Sequence, residues 1–213
     1  MNLNQIKYEL QNILSGKNGN GHDAVIQTIA NYLRTSQRTS PVAEEKHQNK
    51  TEEAKKLLAF AQKNNLIFNT IDEKNYISEG AEQKVYNNRN EYVLKLNDAI
   101  YYASWEDYLK NLLLHNYFFS DTAYHLLGFY HINNTLYALV KQVYIKTTHL
   151  TDLEDVKTFL TSNGFENTKN NDYFHPYLGI IVEDLHDENV LTQNGILYFI
   201  DTVFYIKPDV FWH

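Results

Sequence analysis

The hydrophobic period of this chain changes near Tyr76, and that change limits what each part can become. Beyond it, Tyr76-Ile77, Lys84-Val85-Tyr86 and residues 92–96 are short β-prone runs separated by polar turns, which predicts tightly connected hairpins. A helix follows, with Trp105, Leu109, Leu112 and Leu113 at helical spacing behind a Ser104 N-cap. Two strands come next, residues 124–130 and 135–142, joined by a turn at Asn133-Asn134. The order is strand, strand, strand, helix, strand, strand. Farther on, Thr151-Asp152-Leu153-Glu154 fits a capping box for another helix. An apolar strand at 178–182, a polar loop, and a hairpin turning at Asn194-Gly195 complete the pattern.

Before Tyr76 the pattern is helical. Leu3, Ile6, Leu10, Ile13 and Leu14 share one face, and Val25, Ile26, Ile29, Ala30 and Leu33 form a second stripe behind an expected Asp23 cap. Residues 17–21 read as the break between them, and residues 36–50, with Pro41, as a linker. Thr51 is the expected cap of a third helix carrying Ala54, Leu57, Leu58 and Ala61. Three apolar stripes need cover, so these helices are expected to pack on the following domain, on a partner protein or on a second copy as a homodimer.

Composition excludes several classes. Zero cysteines remove disulfides and thiolate chemistry, no apolar run reaches the length of a membrane span, and the first residues lack a secretory pattern, so a cytoplasmic location without membrane contact is expected. Residues 151–213 hold eleven Asp or Glu against three Lys and no Arg, which argues against nucleic acid as a partner. The nine histidines show no pairing typical of zinc, and no G-x-S-x-G elbow is present.

The sharpest chemical pattern is Glu183-Asp184-Leu185-His186-Asp187-Glu188-Asn189, followed by Tyr198-Phe199-Ile200-Asp201. An Asp at a strand end, an Asn five residues later and a second Asp behind a hairpin suit phosphoryl transfer. Asp184 would orient the acceptor hydroxyl, while Asn189 and Asp201 would hold a hard cation against phosphate oxygens. Alternation on residues 92–96 puts Val93 and Lys95 on one face and Leu94 and Leu96 on the other, setting an apolar contact beside an ammonium.

Asp184-Leu185-His186, Asn189 and Ile200-Asp201 are similar to the loop of aminoglycoside-type kinases. Gly80-Ala81-Glu82-Gln83-Lys84-Val85-Tyr86, residues 92–98, Leu113-Leu114-His115-Asn116 and Leu127-Gly128-Phe129 more closely resemble the polyvalent protein kinase family of phages and mobile elements. The resemblance implies an α+β fold: a reduced two-lobed protein-kinase-like domain with a five-stranded small lobe and an N-terminal helical extension. The expected boundaries are 1–70 for the extension, 71–142 for the small lobe and 143–213 for a truncated large lobe.

The same resemblance implies ATP and Mg2+ as cofactors. Ser78, Gly80 and Gln83 fall at the glycine positions of the phosphate loop, Val85 and Val93 against the adenine, and Gln142-Val143 at the hinge. Glu106 is the candidate partner of Lys95, and His186 either braces the loop or is an ordinary core histidine. Three functions remain open. The chain is a phosphotransferase acting on a protein or a small hydroxylated molecule, a pseudokinase that regulates a partner, or a piece whose substrate platform comes from another chain.

Overall fold

A computed structural model describes residues 2–17, 21, 23–37, 46–80 and 83–213. The expected linker around Pro41, most of the expected break at 17–21, and Ala81-Glu82 of the expected phosphate loop lie outside the described residues.

Helix α1 (Leu3–Leu14) starts where the Asn2 side chain accepts from the Gln5 amide, and it buries Ile6, Leu10 and Leu14. Helix α2 (Asp23–Gln37) buries Ile26, Ile29, Ala30 and Leu33. Helix α3 runs Lys46–Lys63, so Thr51 lies inside it and is not its cap. The true start is earlier because residues 46–50 carry little apolar signal to mark it.

A six-stranded sheet follows, built from β1 (Ile67–Phe68), β2 (Tyr76–Glu79), β3 (Gln83–Asn88), β4 (Tyr92–Asn97), β5 (His125–Ile132) and β6 (Thr135–Val143). Its order is β1-β5-β6-β4-β3-β2. The five expected strands are all present, but the sheet has six, because β1 adds in parallel beside β5. Leu94 and Leu96 turn to one face, with Tyr86 and Leu139, while Val93 and Lys95 turn to the other. Asn133 and Asn134 sit at φ 50° and 66°, both left-handed, as a tight hairpin turn requires.

Gly128 explains how β1 fits. Its φ is +155°, and an added Cβ would lie 2.2 Å from the Leu66 carbonyl oxygen, which also accepts from the Phe129 amide at 2.8 Å. Gly128→Ala is therefore expected to displace β1 and cost about 1–3 kcal/mol. Urea unfolding checks this, and an unchanged midpoint would contradict it.

Helix α4 (Trp105–Phe118) packs between the sheet and the N-terminal helices, burying Trp105, Leu109, Leu112 and Leu113. Ser104 caps it as expected, accepting from the Asp107 amide at 3.0 Å. Buried Glu53 of α3 adds a second cap, accepting from the Trp105 amide at 2.6 Å, and Lys50 donates to the carbonyls of Ala99, Ile100 and Tyr102 just before the helix. Thus α3 sets where α4 begins.

Helix α5 (Leu153–Ser162) has Asp152 as its cap, accepting from Glu154 N. Thr151, the expected cap, instead donates to the Val190 carbonyl at 2.6 Å. A four-stranded sheet comprises β7 (Glu166–Lys169), β8 (Asp172–His175), β9 (Ile180–Glu183) and β12 (Val203–Ile206), in the order β12-β9-β8-β7. Between β9 and β12 runs the hairpin β10 (Val190–Gln193) and β11 (Ile196–Phe199), turning at Asn194-Gly195. Short α6 (Pro208–Phe211) ends the chain.

The N-terminal helices pack inside the same molecule. On α1, Glu9 accepts from the Tyr117 hydroxyl of α4 at 2.8 Å, while Lys7 and Gln11 donate to the carbonyls of Val210 and Phe211, each at 2.6 Å. Helix α1 therefore ties α4 to the last helix. Among the described residues, no helix is long and apolar enough to cross a membrane.

Candidate functional site

Two sheets meet at a cleft of about 810 Å3. Strand β4 contributes Lys95, whose alternation with half-buried Leu94 and buried Leu96 turns its ammonium into the cleft. Strand β9 ends at Glu183, and the chain turns sharply at Asp184, held at φ 66°. Asn189 ends that loop immediately before β10, and its carbonyl accepts from the amides of Ile200 and Asp201 at 2.9 and 3.3 Å. Those two bonds bring the loop and the end of the hairpin to one place.

All of Lys95, Asp184, Asn189 and Asp201 line the cleft. Lys95 Nζ lies 3.7 Å from Asp201 Oδ2 and donates to the Ile200 carbonyl at 2.8 Å. It also stands over the Tyr124 ring at 5.3 Å, so a buried ammonium has a carboxylate, a carbonyl and a π face around it. The Tyr124 hydroxyl donates to the same Ile200 carbonyl at 2.8 Å and approaches Asp201 Oδ1 at 3.4 Å. Burial, reinforced by the Asp201 carboxylate, holds that phenol's pKa well above the ordinary tyrosine value, so it stays protonated as a donor.

The Asn189 amide nitrogen donates to both the carbonyl and Oδ2 of Asp184, each at 2.8 Å. Both partners are pure acceptors, so the amide cannot be reversed there, and its oxygen is the atom left for another ligand. His186 Nδ1 accepts from the Glu188 amide, and its Nε2 lies 3.3 Å from Asp184 Oδ1. Asp172, from β8, accepts from the Asp184 amide at 3.2 Å. Burial raises the Asp184 pKa and the Asp201 and Asp172 charges add to that, while His186 and Asn189 oppose it. Glu183 is raised too, by burial first and then by Asp172 and Asp184.

Gly80, Val85, Val93, Gln142 and Val143 also line the cleft. The Gly80 amide donates to the Gln83 carbonyl at 2.8 Å, which closes the turn before β3. The Gln142 side chain is buried and turns away from the expected hinge to donate to the Thr122 carbonyl at 2.7 Å.

Glu106 corrects an expectation. It accepts from Arg34 of α2 at 3.3 Å and from Lys110 at 3.0 Å, in the first turn of α4, and it is not the partner of Lys95. Only eleven residues beyond Lys95, it sits at the end of α4 that faces the N-terminal helices. Asp201 and Tyr124 surround the ammonium instead.

Helix α4 still reaches the site, through His115. This buried imidazole meets Thr202 Oγ1 at 2.7 Å through Nδ1 and the Thr122 carbonyl at 3.0 Å through Nε2, so Nε2 carries the proton and Thr202 donates to Nδ1. Desolvation lowers its pKa from 6.5 to about 3, with backbone hydrogen bonding to Thr122 opposing and the Lys95 charge adding. Between those values the unfolded chain takes up a proton that the folded chain refuses. Stability from neutral His115 is therefore full above pH 6.5 and lost by up to about 1.4 kcal/mol per pH unit as pH falls toward 3. Urea unfolding between about pH 6.5 and 5, above most carboxylate titration, reads this slope. His115→Asn should flatten it, and an unchanged slope would contradict the assignment.

The model of serine/threonine/tyrosine kinases found in polyvalent proteins matches residues 50–208. The chain belongs to that family. No curated protein and no solved structure matches it. Membership in this kinase family covers the sheet, α4 and the whole Asp184 to Asp201 segment, together with the α3 residues that cap α4. Helices α1 and α2 lie outside the matched kinase region, although they pack against it.

Some site residues had no motif to reveal them. Tyr124 reads as the start of a strand, and Asp172 belongs to a hairpin whose first strand, β7, is fully exposed and carries no apolar alternation. Gln83 falls at an expected loop position, but its amide contact with Asp201 joins residues far apart in the chain and had no signal there.

Proposed function

We propose that this kinase-family domain binds ATP with Mg2+ in the cleft and transfers the terminal phosphoryl group to a hydroxyl of a protein or small molecule. The observation that carries the reading is the convergence of Lys95, Asp184, Asn189 and Asp201 on one cleft, with Lys95 Nζ 3.7 Å from Asp201 Oδ2. Val85 and Val93 offer an apolar seat for a base beside that ammonium, and the backbone at Val143 offers the polar edge.

The donor set fits a phosphate-bound cation. Asp201 supplies a carboxylate and Asn189 an amide oxygen, both hard ligands suited to Mg2+. Among the described residues, no group of three His, Asp or Glu could hold a metal unaided, so phosphate oxygens would complete its shell. The cation would offset charge on the transferring group. Lys95 would hold the inner phosphates, and Asp184, with its pKa raised by burial, would orient and accept the proton of the incoming hydroxyl.

The test is transfer of phosphorus from ATP labelled at its terminal phosphate, to the protein itself and to a panel of basic proteins and hydroxylated small molecules. Magnesium-dependent labelling that Lys95→Met abolishes supports the reading. Labelling that persists in Lys95→Met would contradict it. A pseudokinase reading is favoured by one observation, that Gln83, Lys95 and Tyr124 all approach the Asp201 carboxylate from the protein side.

A further inference from the structure

The contacts around Asp201 point to a latch: we infer that the Gln83 side chain holds the carboxylate in the nucleotide-free protein and competes with a cation for it. The inference rests on the reading of Asp201 as a metal ligand. Gln83 stands where a kinase phosphate loop has its third glycine, and no glycine could make this contact.

Asp201 has two oxygens, and protein donors approach both. The Gln83 amide nitrogen donates to Oδ2, Lys95 Nζ lies 3.7 Å from that same oxygen, and the Tyr124 hydroxyl is 3.4 Å from Oδ1. A cation needs a lone pair that no N–H already points at. An ionised carboxylate offers about four such sites, so a cation at Oδ2 competes first with the Gln83 amide that occupies one of them.

The three donors differ in what else holds them. Lys95 and Tyr124 each donate at 2.8 Å to the Ile200 carbonyl, a main-chain acceptor that stays in place when a metal arrives. Both are also buried, and the ammonium rests against the tyrosine ring. Gln83 is half-buried at the start of β3 and reaches across the cleft from the opposite wall. Its backbone carbonyl accepts from the Gly80 amide at 2.8 Å, so its main chain stays tied to Gly80 when the side chain swings away. Gln83 is the donor that can leave at least cost.

The consequence is a competition between a side-chain amide and Mg2+ for one oxygen. It makes the hairpin sense the metal, because releasing Asp201 frees the strand end that covers the phosphates. Losing the competitor should raise apparent metal affinity by about three- to tenfold, the net worth of one typical hydrogen bond once water replaces the lost donor.

The experiment follows binding of a fluorescent, non-hydrolysable ATP analogue to the full chain while Mg2+ is titrated, for wild type, Gln83→Ala and Gln83→Met. Methionine keeps the length of the side chain and cannot donate. Half-saturating Mg2+ should fall about three- to tenfold in both variants. Circular dichroism and urea unfolding show that each variant is folded. If wild type binds the analogue and both variants need as much Mg2+ or more, the latch is overturned and the nucleotide site stands. If none of the three proteins binds, the proposed function and the latch both fail. Binding by the variants where wild type shows none would be the latch at full strength.

Discussion

Asp184→Asn is expected to slow phosphotransfer by roughly 10²- to 10⁴-fold, the usual contribution of a positioned proton acceptor, with Mg-ATP affinity close to wild type. Asparagine keeps an oxygen that can accept from the Asn189 amide, whose contacts with the Asp184 carbonyl and Oδ2 are both 2.8 Å. The loop therefore has reason to keep its shape. What disappears is the basic oxygen that an incoming hydroxyl would meet. Steady-state kinetics should show the loss in kcat, and calorimetry should show retained binding. Equal loss of affinity and rate would instead make Asp184 part of the nucleotide site.

Asp201→Asn should act on the other side of that division, removing Mg-dependent ATP binding and, with it, transfer. The substitution takes away the only carboxylate proposed to ligate the cation. It also leaves the buried Lys95 ammonium without its partner at 3.7 Å, although the Ile200 carbonyl and the Tyr124 ring remain. Truncating one partner of a buried charge pair costs about 3–5 kcal/mol where no other group compensates. Here a smaller fall in stability is expected, because two other contacts persist. Urea unfolding must accompany the binding measurement, so that lost affinity is not mistaken for lost fold. A variant that is folded and still binds Mg-ATP like wild type would remove Asp201 from the metal site.

The convergence of these two residues on the cleft could be read from the sequence because the spacing is local. Asp184 and Asn189 belong to one loop, and the hairpin that returns the chain to Asp201 announces itself at Asn194-Gly195, with φ values of 52° and 79°. The same holds for Val93 and Lys95, whose shared face follows from alternation alone. Order of strands and the position of α4 were legible for the same reason: each element carries its own period and its own cap.

The rest depended on partners distant in sequence. Strand β1 has only two residues, too few to show a period, and it exists because Gly128 lets Leu66 approach β5. Strand β7 is exposed along its whole length, so nothing apolar marks it. Glu106 is the sole glutamate in its stretch, and elimination pointed to Lys95, yet Arg34 approaches from α2 and competes for it. In each case a tertiary partner outweighed the local pattern.

The three N-terminal stripes also resolve through distant contacts. Their cover is α4 and the last helix of the same molecule, with Lys7 and Gln11 of α1 reaching Val210 and Phe211. The kinase family match starts at residue 50, where Lys50 and Glu53 begin to order the approach to α4.

The central claim, a nucleotide site that works through a bound cation, is tested most directly by isothermal calorimetry of ATP binding to the wild-type chain with and without Mg2+. Asp184, Asp201 and Asp172 should repel a polyanion until the metal reverses the local charge, so saturable binding is expected with Mg2+ and at least about tenfold weaker binding when EDTA removes it. Binding of equal strength in both conditions, or none in either, would contradict the account.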